Sequence, residues 1–424
     1  MVNGNCIVAP ATPAGGAIGM VRVSGPDAVG VVSSVFSKDI TQAEGYTCHY
    51  GTINDSSHQA IDDVVVNIYR APHSYTGEDS VEIMCHGSAF IIQSIVSLLC
   101  SQGCTLAQPG EFTKLAFLAG KMDLSQAEAV ADLISSSNAA THRLAISQMR
   151  GGFSNELRSL RERLLHITSL LELEIDFSEE DVEFADRQQL LSLTQEVETV
   201  ISRLLGSFRA GNAIKNGIPV VIAGETNVGK STLLNQLLGE ERALVSDIKG
   251  TTRDTIEELV SIDGYTFRFI DTAGIRQTDD TIESMGIERT LQKLRDAQII
   301  ILMKEPGVDY PAIDISDSQH VIRIENKTPQ FQAINGLGLD ALKAELTDIA
   351  SSLCQTDSDI VVTNLRHVEA LRQALEAIQR VNGSTSDLIA LNIRDCIHHL
   401  AEITGDITSD DTLHNIFQHF CIGK

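Results

Sequence analysis

The stretch Gly224-Glu-Thr-Asn-Val-Gly-Lys-Ser231 sets two glycines, a lysine and a hydroxyl at the spacing G-x-x-x-x-G-K-[ST]. The chemistry of that spacing is phosphate binding. Glycines let successive backbone N–H groups turn inward around phosphate oxygens, Lys230 bridges the terminal phosphates, and the Ser231 hydroxyl faces Mg2+. The plain alternative is an ordinary strand-to-helix turn that carries glycine. An apolar strand, "VVIAG", precedes the loop and a helix pattern, "STLLNQLL", follows it, which is the context the phosphate reading requires.

Two further segments select among nucleotide hydrolases. The apolar run "FRFIDTAG" ends in Asp271, Thr272, Ala273 and Gly274, where the aspartate can hold Mg2+ through water and the Gly274 N–H can meet a terminal phosphate. Between the two, "GTTRD" places Thr251 and Thr252 on a loop long enough to close over the same ion. P-loop, threonine loop and D-x-x-G, in that order, belong to switch-type GTPases. The nucleotide is therefore expected against Asn227, Val228, Gly229, Lys230, Ser231 and Thr232, with residues 271–274 beside them. A guanine reader of the form N-K-x-D should follow. The stretch "HVIRIENKTPQ" supplies Asn326 and Lys327, but Pro329 stands at the fourth position and leaves guanine N1–H and the exocyclic amine without a carboxylate. The segment "KEPGVDYPAIDISDSQH" before it is short and helix-poor for this class.

These residues need elements to hold them. Up to about residue 118 the chain mixes short β-branched runs, "CIVAP", "GMVRVS", "DDVVVNIY" and "SVEIMC", with one strong helix pattern, "SAFIIQSIVSLLCSQG". That is the texture of an α+β domain. From about Lys121 apolar residues recur at three and four spacing in "LSQAEAVADLISSSNAATHRLAISQM" and "NELRSLRERLLHITSLLELEIDF", which predicts long amphipathic helices. At Ile218 an α/β pattern begins and runs to about residue 356, after which "NLRHVEALRQALEAIQRV" and "SDLIALNIRDCIHHLAEITG" return to helix. The expected domains are 1–118, a helical part 119–215, a nucleotide domain 216–356, and a second helical part 357–424 that packs on the first.

Composition bounds the rest. With 424 residues the chain exceeds one compact core, and 43% hydrophobic content with no tryptophan makes those cores aliphatic. A formal charge of −25 opposes nonspecific attraction to polyanions, so a nucleic acid must bind through a local basic site or with a partner's help. The eight cysteines form no C-x-x-C pair and read as reduced, mostly buried thiols. No signal segment or membrane-length apolar run is present, so the protein is expected in the cytoplasm with no membrane partner. The ending "FCIGK" does not fit a prenylation signal, because Gly423 and a charged Lys424 follow Cys421 and Ile422.

Taken together, "GETNVGKSTLLN", "GTTRDT", "DTAGIRQTDDTIESMGIER", "QPGEFTKLAFLAGKMDLSQAEAVADLI", "EIDF" and the terminal "CIGK" resemble the bacterial and organellar tRNA modification GTPases of the MnmE (TrmE) family, over nearly the whole chain. The resemblance implies an N-terminal α+β domain related to tetrahydrofolate-binding one-carbon enzymes and used in dimerisation. It also implies a discontinuous helical domain with a Ras-like P-loop GTPase domain inserted in it. It further implies a homodimer that forms a heterotetramer with an FAD-dependent tRNA modification protein. That complex places a carboxymethylaminomethyl or aminomethyl group on C5 of the wobble uridine of certain tRNAs.

The resemblance also assigns residues. A K+ ion supplies positive charge near the leaving phosphate, held by Asn227 and by Ser246, Ile248 and Thr251. Ser246, Asp247, Ile248, Lys249, Gly250, Thr251 and Thr252 then border the nucleotide, with Thr252 joining Ser231 on Mg2+. Glu283, twelve residues beyond Asp271, orients the attacking water through a bridging water. A 5-formyltetrahydrofolate-type ligand falls to Arg22, Glu82, Lys121 and Lys424, with His86 and the "PGEF" turn shaping its pocket. Taken alone, each of these charges reads first as a surface or domain-contact charge. Arg253 and Arg276 read either as serving the tRNA step or loop movement or as surface ion pairs. Cys421 reads either as a nucleophile or acid of the modification step or as a small buried hydrophobe, with Phe420 and Ile422 packing the last turn. A different class, a GTP-dependent assembly switch of the ribosome-biogenesis type, lacks the folate-domain stretches and the terminal motif. A folate-dependent transferase with a regulatory GTPase is the third reading.

Overall fold

The computed structural model describes residues 6–176, 187–241, 257–270, 294–316, 319–354, 360–381 and 386–423. The chain forms two compact units, one of residues 1–131 with 401–424 and one of residues 132–400.

The first unit is built on a six-stranded sheet of β1 (Ile7–Pro10), β2 (Ile18–Ser24), β3 (Thr47–Asn54), β4 (Ala60–Tyr69), β5 (Ser80–His86) and β6 (Thr105–Leu106), in the order β3-β4-β5-β2-β1-β6. Every pairing is antiparallel except β1 with β6. Alternation along β2 and β5 decides which side chains face the core. Val21 and Val23 on β2, and Val81 and Ile83 on β5, are fully buried, which turns Arg22 and Glu82 to the opposite face. Helices α1 (Ala28–Val35) and α2 (Ala89–Ser101) close the main core with Val29, Val32, Ile92, Ile95 and Leu99. On the Arg22 side a smaller cluster gathers Ile7, Ala9, Ala107 and Phe112, the last carried by α3 (Glu111–Leu118). The start of α4 (Leu124–Ser135) supplies Leu124 and Ala127 to a third cluster, with Leu413, Phe417 and Phe420 from the chain's end. The edge strand β3 was not signalled by sequence, since "TCHYGTIN" has little β-branched content and six of its eight positions are exposed or partly so.

In the second unit α5 (Ala139–Met149), α6 (Gly152–Asp176) and α7 (Arg187–Asn216) precede the nucleotide domain. That domain has a five-stranded sheet of β7 (Ile218–Gly224), β8 (Glu257–Ile262), β9 (Tyr265–Ile270), β10 (Ile299–Lys304) and β11 (His320–Glu325), in the order β11-β10-β7-β9-β8. Only β8 runs antiparallel to its neighbour. The central strands β7 and β10 are apolar along almost their whole length because both faces are covered. One face packs Ile218, Val220 and Ile222 against Leu233 and Leu237 of α8 (Lys230–Glu241) and Leu342 and Leu346 of α9 (Leu339–Cys354). The other face carries Val221, Ile300 and Leu302, covered in part by Tyr310, Ile313 and Ile315 from an irregular segment that holds no helix among the described residues 305–316. Beyond the nucleotide domain come α10 (Leu365–Gln379) and α11 (Ser386–Thr404), while α12 (Asp410–Phe417) belongs to the first unit. Within this unit the residues before and after the nucleotide domain meet: the Gln379 side chain donates to Glu198 at 2.7 Å, and Gln148 Nε2 donates to Val361 O at 3.0 Å.

Candidate functional site

The phosphate loop begins where the buried strand β7 runs out and ends at the first residue of α8. Its backbone cannot be helical or extended throughout. Asn227 lies at φ +64° and Gly229 at φ +99°, both left-handed, so the chain folds back on itself before the helix starts. At Gly229 a side chain is excluded as well as strained, since a Cβ there would sit 2.5 Å from Asn326 Nδ2. Lys230 lies over the loop, its Nζ donating to Gly224 O and Glu225 O at 2.7 Å each. Val228 is 2% exposed and anchors the loop, while Ser231 is exposed at the helix start. Asn227 is also exposed, and its amide oxygen is the type of hard donor that a cation takes.

Asn326 ties this loop to the far end of the sheet. Its Nδ2 donates to Val228 O at 2.8 Å and its Oδ1 accepts from Ala333 N–H at 3.0 Å. The sequence identified Asn326 as a base reader and missed this tie, because 98 residues separate the partners. Lys327 follows at φ +63° with its ammonium on Glu305. Ser246, Asp247, Ile248, Lys249, Gly250, Thr251, Thr252, Arg253, Asp271, Thr272, Ala273, Gly274, Arg276 and Glu283 lie outside the described residues, as does Lys424.

In the first unit Arg22 and Glu82 are directly opposite in the β2–β5 register. The guanidinium meets Glu82 Oε1 through both Nε, at 3.1 Å, and Nη2, at 2.8 Å, and Nη1 donates to Gly423 O at 3.0 Å. The Arg22 side chain is flanked by the Tyr75 and Phe112 rings at 5.7 and 5.6 Å from their centroids, so the ion pair sits in a partly apolar surround. The other Glu82 oxygen accepts from the Tyr69 hydroxyl at 3.3 Å, and burial together with that carboxylate pushes Tyr69 above the usual phenol range. Lys121 is exposed and donates to Pro72 O, on the loop that also carries Tyr75. His86 stands four positions along β5 from Glu82, roughly 13 Å away, and its Nδ1 pairs with Asp62 at 2.8 Å. The structure thus unites Arg22, Glu82 and the "PGEF" residue Phe112, while His86 is bonded separately to Asp62.

The chain's end departs from the sequence expectation. Helix α12 stops at Phe417, and the residues after it form turns, so no last helical turn contains Cys421. Phe420 is buried, but Cys421 and Ile422 are exposed, contrary to an interior role for either. The reason lies in Gly423, at φ +92°, where a Cβ would fall 2.1 Å from Pro10 O. Backbone contacts, including Gly110 N–H to Cys421 O at 3.4 Å, hold the tail, and the two side chains between Phe420 and Gly423 turn outward.

A phosphate loop on the central strand of a mostly parallel sheet, flanked in sequence by helices that pack on each other, defines a P-loop GTPase carried by a helical domain. A family model described as "MnmE helical domain" matches residues 124–421, and one described as "GTP-binding protein TrmE N-terminus" matches residues 6–121. A tRNA modification GTPase MnmE from Bacteroides fragilis (strain YCH46) is 51% identical, covering 100% of each chain. Another from Porphyromonas gingivalis is 48% identical over 99% of this chain and 98% of its own. A solved structure of an Aquifex aeolicus Era variant bound to GDP and AlF4- is 24% identical over 39% of this chain and 67% of that one, with a TM-score of 0.22. The chain belongs to the MnmE family of tRNA modification GTPases. No helix among the described residues is long and apolar enough to cross a membrane.

Proposed function

We propose that this chain hydrolyses GTP at the 224–231 loop and that hydrolysis drives wobble-uridine modification of tRNA at C5, in a homodimer joined by an FAD-dependent partner protein in the cytoplasm. The observation that carries the reading is the phosphate loop itself, with left-handed Asn227 and Gly229 ahead of Lys230 at the start of a helix. Lys230 exchanges its two carbonyl partners for the terminal phosphates, and backbone N–H groups of the loop take the remaining oxygens. Ser231 and Thr252 hold Mg2+, and Asn227, Ser246, Ile248 and Thr251 hold K+; the two ions supply positive charge to the transition state. Glu283 orients the attacking water.

The folate ligand belongs at Arg22 and Glu82. A carboxylate fixed from both oxygens suits the pterin's paired donors, and Lys121 and Lys424 suit an anionic glutamate tail. Because Arg22 also grips the Gly423 carbonyl, the same guanidinium reports on folate and on the position of the tail that presents exposed Cys421. The test is mass spectrometry of wobble uridines from cells lacking the gene, complemented with the wild-type chain or Lys230→Ala. C5 modifications should vanish, return with wild type and stay absent with the variant. Unchanged modification in the deletion would refute the tRNA role and leave an assembly switch as the better account.

A further inference from the structure

Among the described residues, the base end of the nucleotide site shows no carboxylate of the kind that makes a GTPase selective for guanine. Between Asn326 and Asp340 the chain reads N-K-T-P-Q-F-Q-A-I-N-G-L-G-L, with no carboxylate. Of the acidic residues flanking this stretch in sequence, two are paired with lysines and the third begins a helix. Glu325 pairs with Lys304 at 3.2 Å, Asp340 lies in the first turn of α9, and Glu305 is taken by Lys327. The turn itself is closed on its own atoms. Thr328 N–H donates to Phe331 O, Phe331 N–H donates to Thr328 Oγ1, and that hydroxyl donates to Glu325 O, each at 3.1 Å. Thr328 is therefore used up and 8% exposed. Pro329 has no N–H, and Gln330 carries both a donor and an acceptor, which suits any purine edge. Farther along, the Ala333 backbone N–H is spent on Asn326.

Resting on the GTPase reading above, we infer that the site takes purine nucleoside triphosphates without reading the 2-amino edge, so that ITP binds as tightly as GTP. Guanine and hypoxanthine differ only by the exocyclic amine. A carboxylate opposite N1–H and that amine gains one more charge-assisted bond from guanine, worth about 1.5–3 kcal/mol, or roughly 10–150-fold in affinity. With neutral, self-satisfied groups at 328–331 this difference vanishes.

The experiment is competition of a fluorescent GTP analogue by GTP, ITP and ATP on the full chain with Mg2+ and K+. The expected result is GTP and ITP within about threefold of each other. In Pro329→Asp, at the exposed tip of the turn, GTP should gain about tenfold or more over ITP, since a carboxylate returns an acceptor for the amine. A wild-type preference for GTP over ITP above about 30-fold, or a ratio that Pro329→Asp leaves unchanged, overturns the inference while the GTPase reading stands. Failure of all three triphosphates to compete would bring down the GTPase reading as well.

Discussion

Replacing Asn326 by alanine removes an amide that joins the phosphate loop to the segment after β11. Two bonds disappear, one to Val228 O and one from Ala333 N–H, and both backbone partners belong to residues no more than 2% exposed. A hydrogen bond contributes about 1 kcal/mol net, but a buried partner left unsatisfied costs about 1–3 kcal/mol. The sum expected for Asn326→Ala is about 2–4 kcal/mol, because water reaches a vacated amide site only in part. For a unit of this size that is a fall in Tm of roughly 5–15 °C. Asn326→Asp is the sharper variant. It keeps an acceptor for Ala333 but sets a second acceptor against Val228 O, so burial and the facing carbonyl raise the new carboxyl's pKa. A raised folded-state value means the aspartate harms stability only when ionised; the defect should be full at neutral pH and recover as pH falls toward the ordinary carboxylate range near ~4. Circular dichroism melts and binding of a fluorescent nucleotide at several pH values read both effects. If Asn326→Ala melts within about 1 °C of wild type, the tie contributes nothing and the reasoning fails.

The remaining predictions concern the ion and the tail. Steady-state GTP turnover should be at least about tenfold faster in K+ than in Na+ if Asn227 and the 246–251 loop hold a cation in the transition state, and equal rates would remove that assignment. Gly423→Ala forces a Cβ to within 2.1 Å of Pro10 O, so the tail must leave its seat and Arg22 must give up one partner. Carboxypeptidase should then release the terminal residues several-fold faster with the global Tm little changed, and unaltered digestion would mean that the tail accommodates the methyl group in place.

How much of this was legible in the sequence depends on how local each feature is. Strand, loop and helix around the phosphate site occupy one continuous run, so hydrophobic period and glycine placement were enough to locate them. The long helices were visible for the same reason, since their apolar spacing repeats over many turns. Arg22 and Glu82, by contrast, become neighbours only through the β2–β5 register, which 60 intervening positions separate. Resemblance named them; no spacing rule does. Cys421 was left open by the sequence between a reactive group and a buried hydrophobe, and its exposure goes against the second reading. The deciding fact is the left-handed Gly423 beneath Pro10, a contact across most of the chain.

The two ends of the nucleotide site differ in what they are made of. The phosphate end is backbone held in left-handed turns and braced by a buried amide, a preorganised cradle that any triphosphate satisfies alike. At the base end the turn has closed its donors and acceptors on one another and keeps no charge for a base edge. Binding energy must then come chiefly from phosphates and cations, interactions shared by every nucleoside triphosphate. Among the described residues Asn326 bridges the phosphate loop and the segment after β11, so its loss should be felt as weaker phosphate binding and not as a change of base preference.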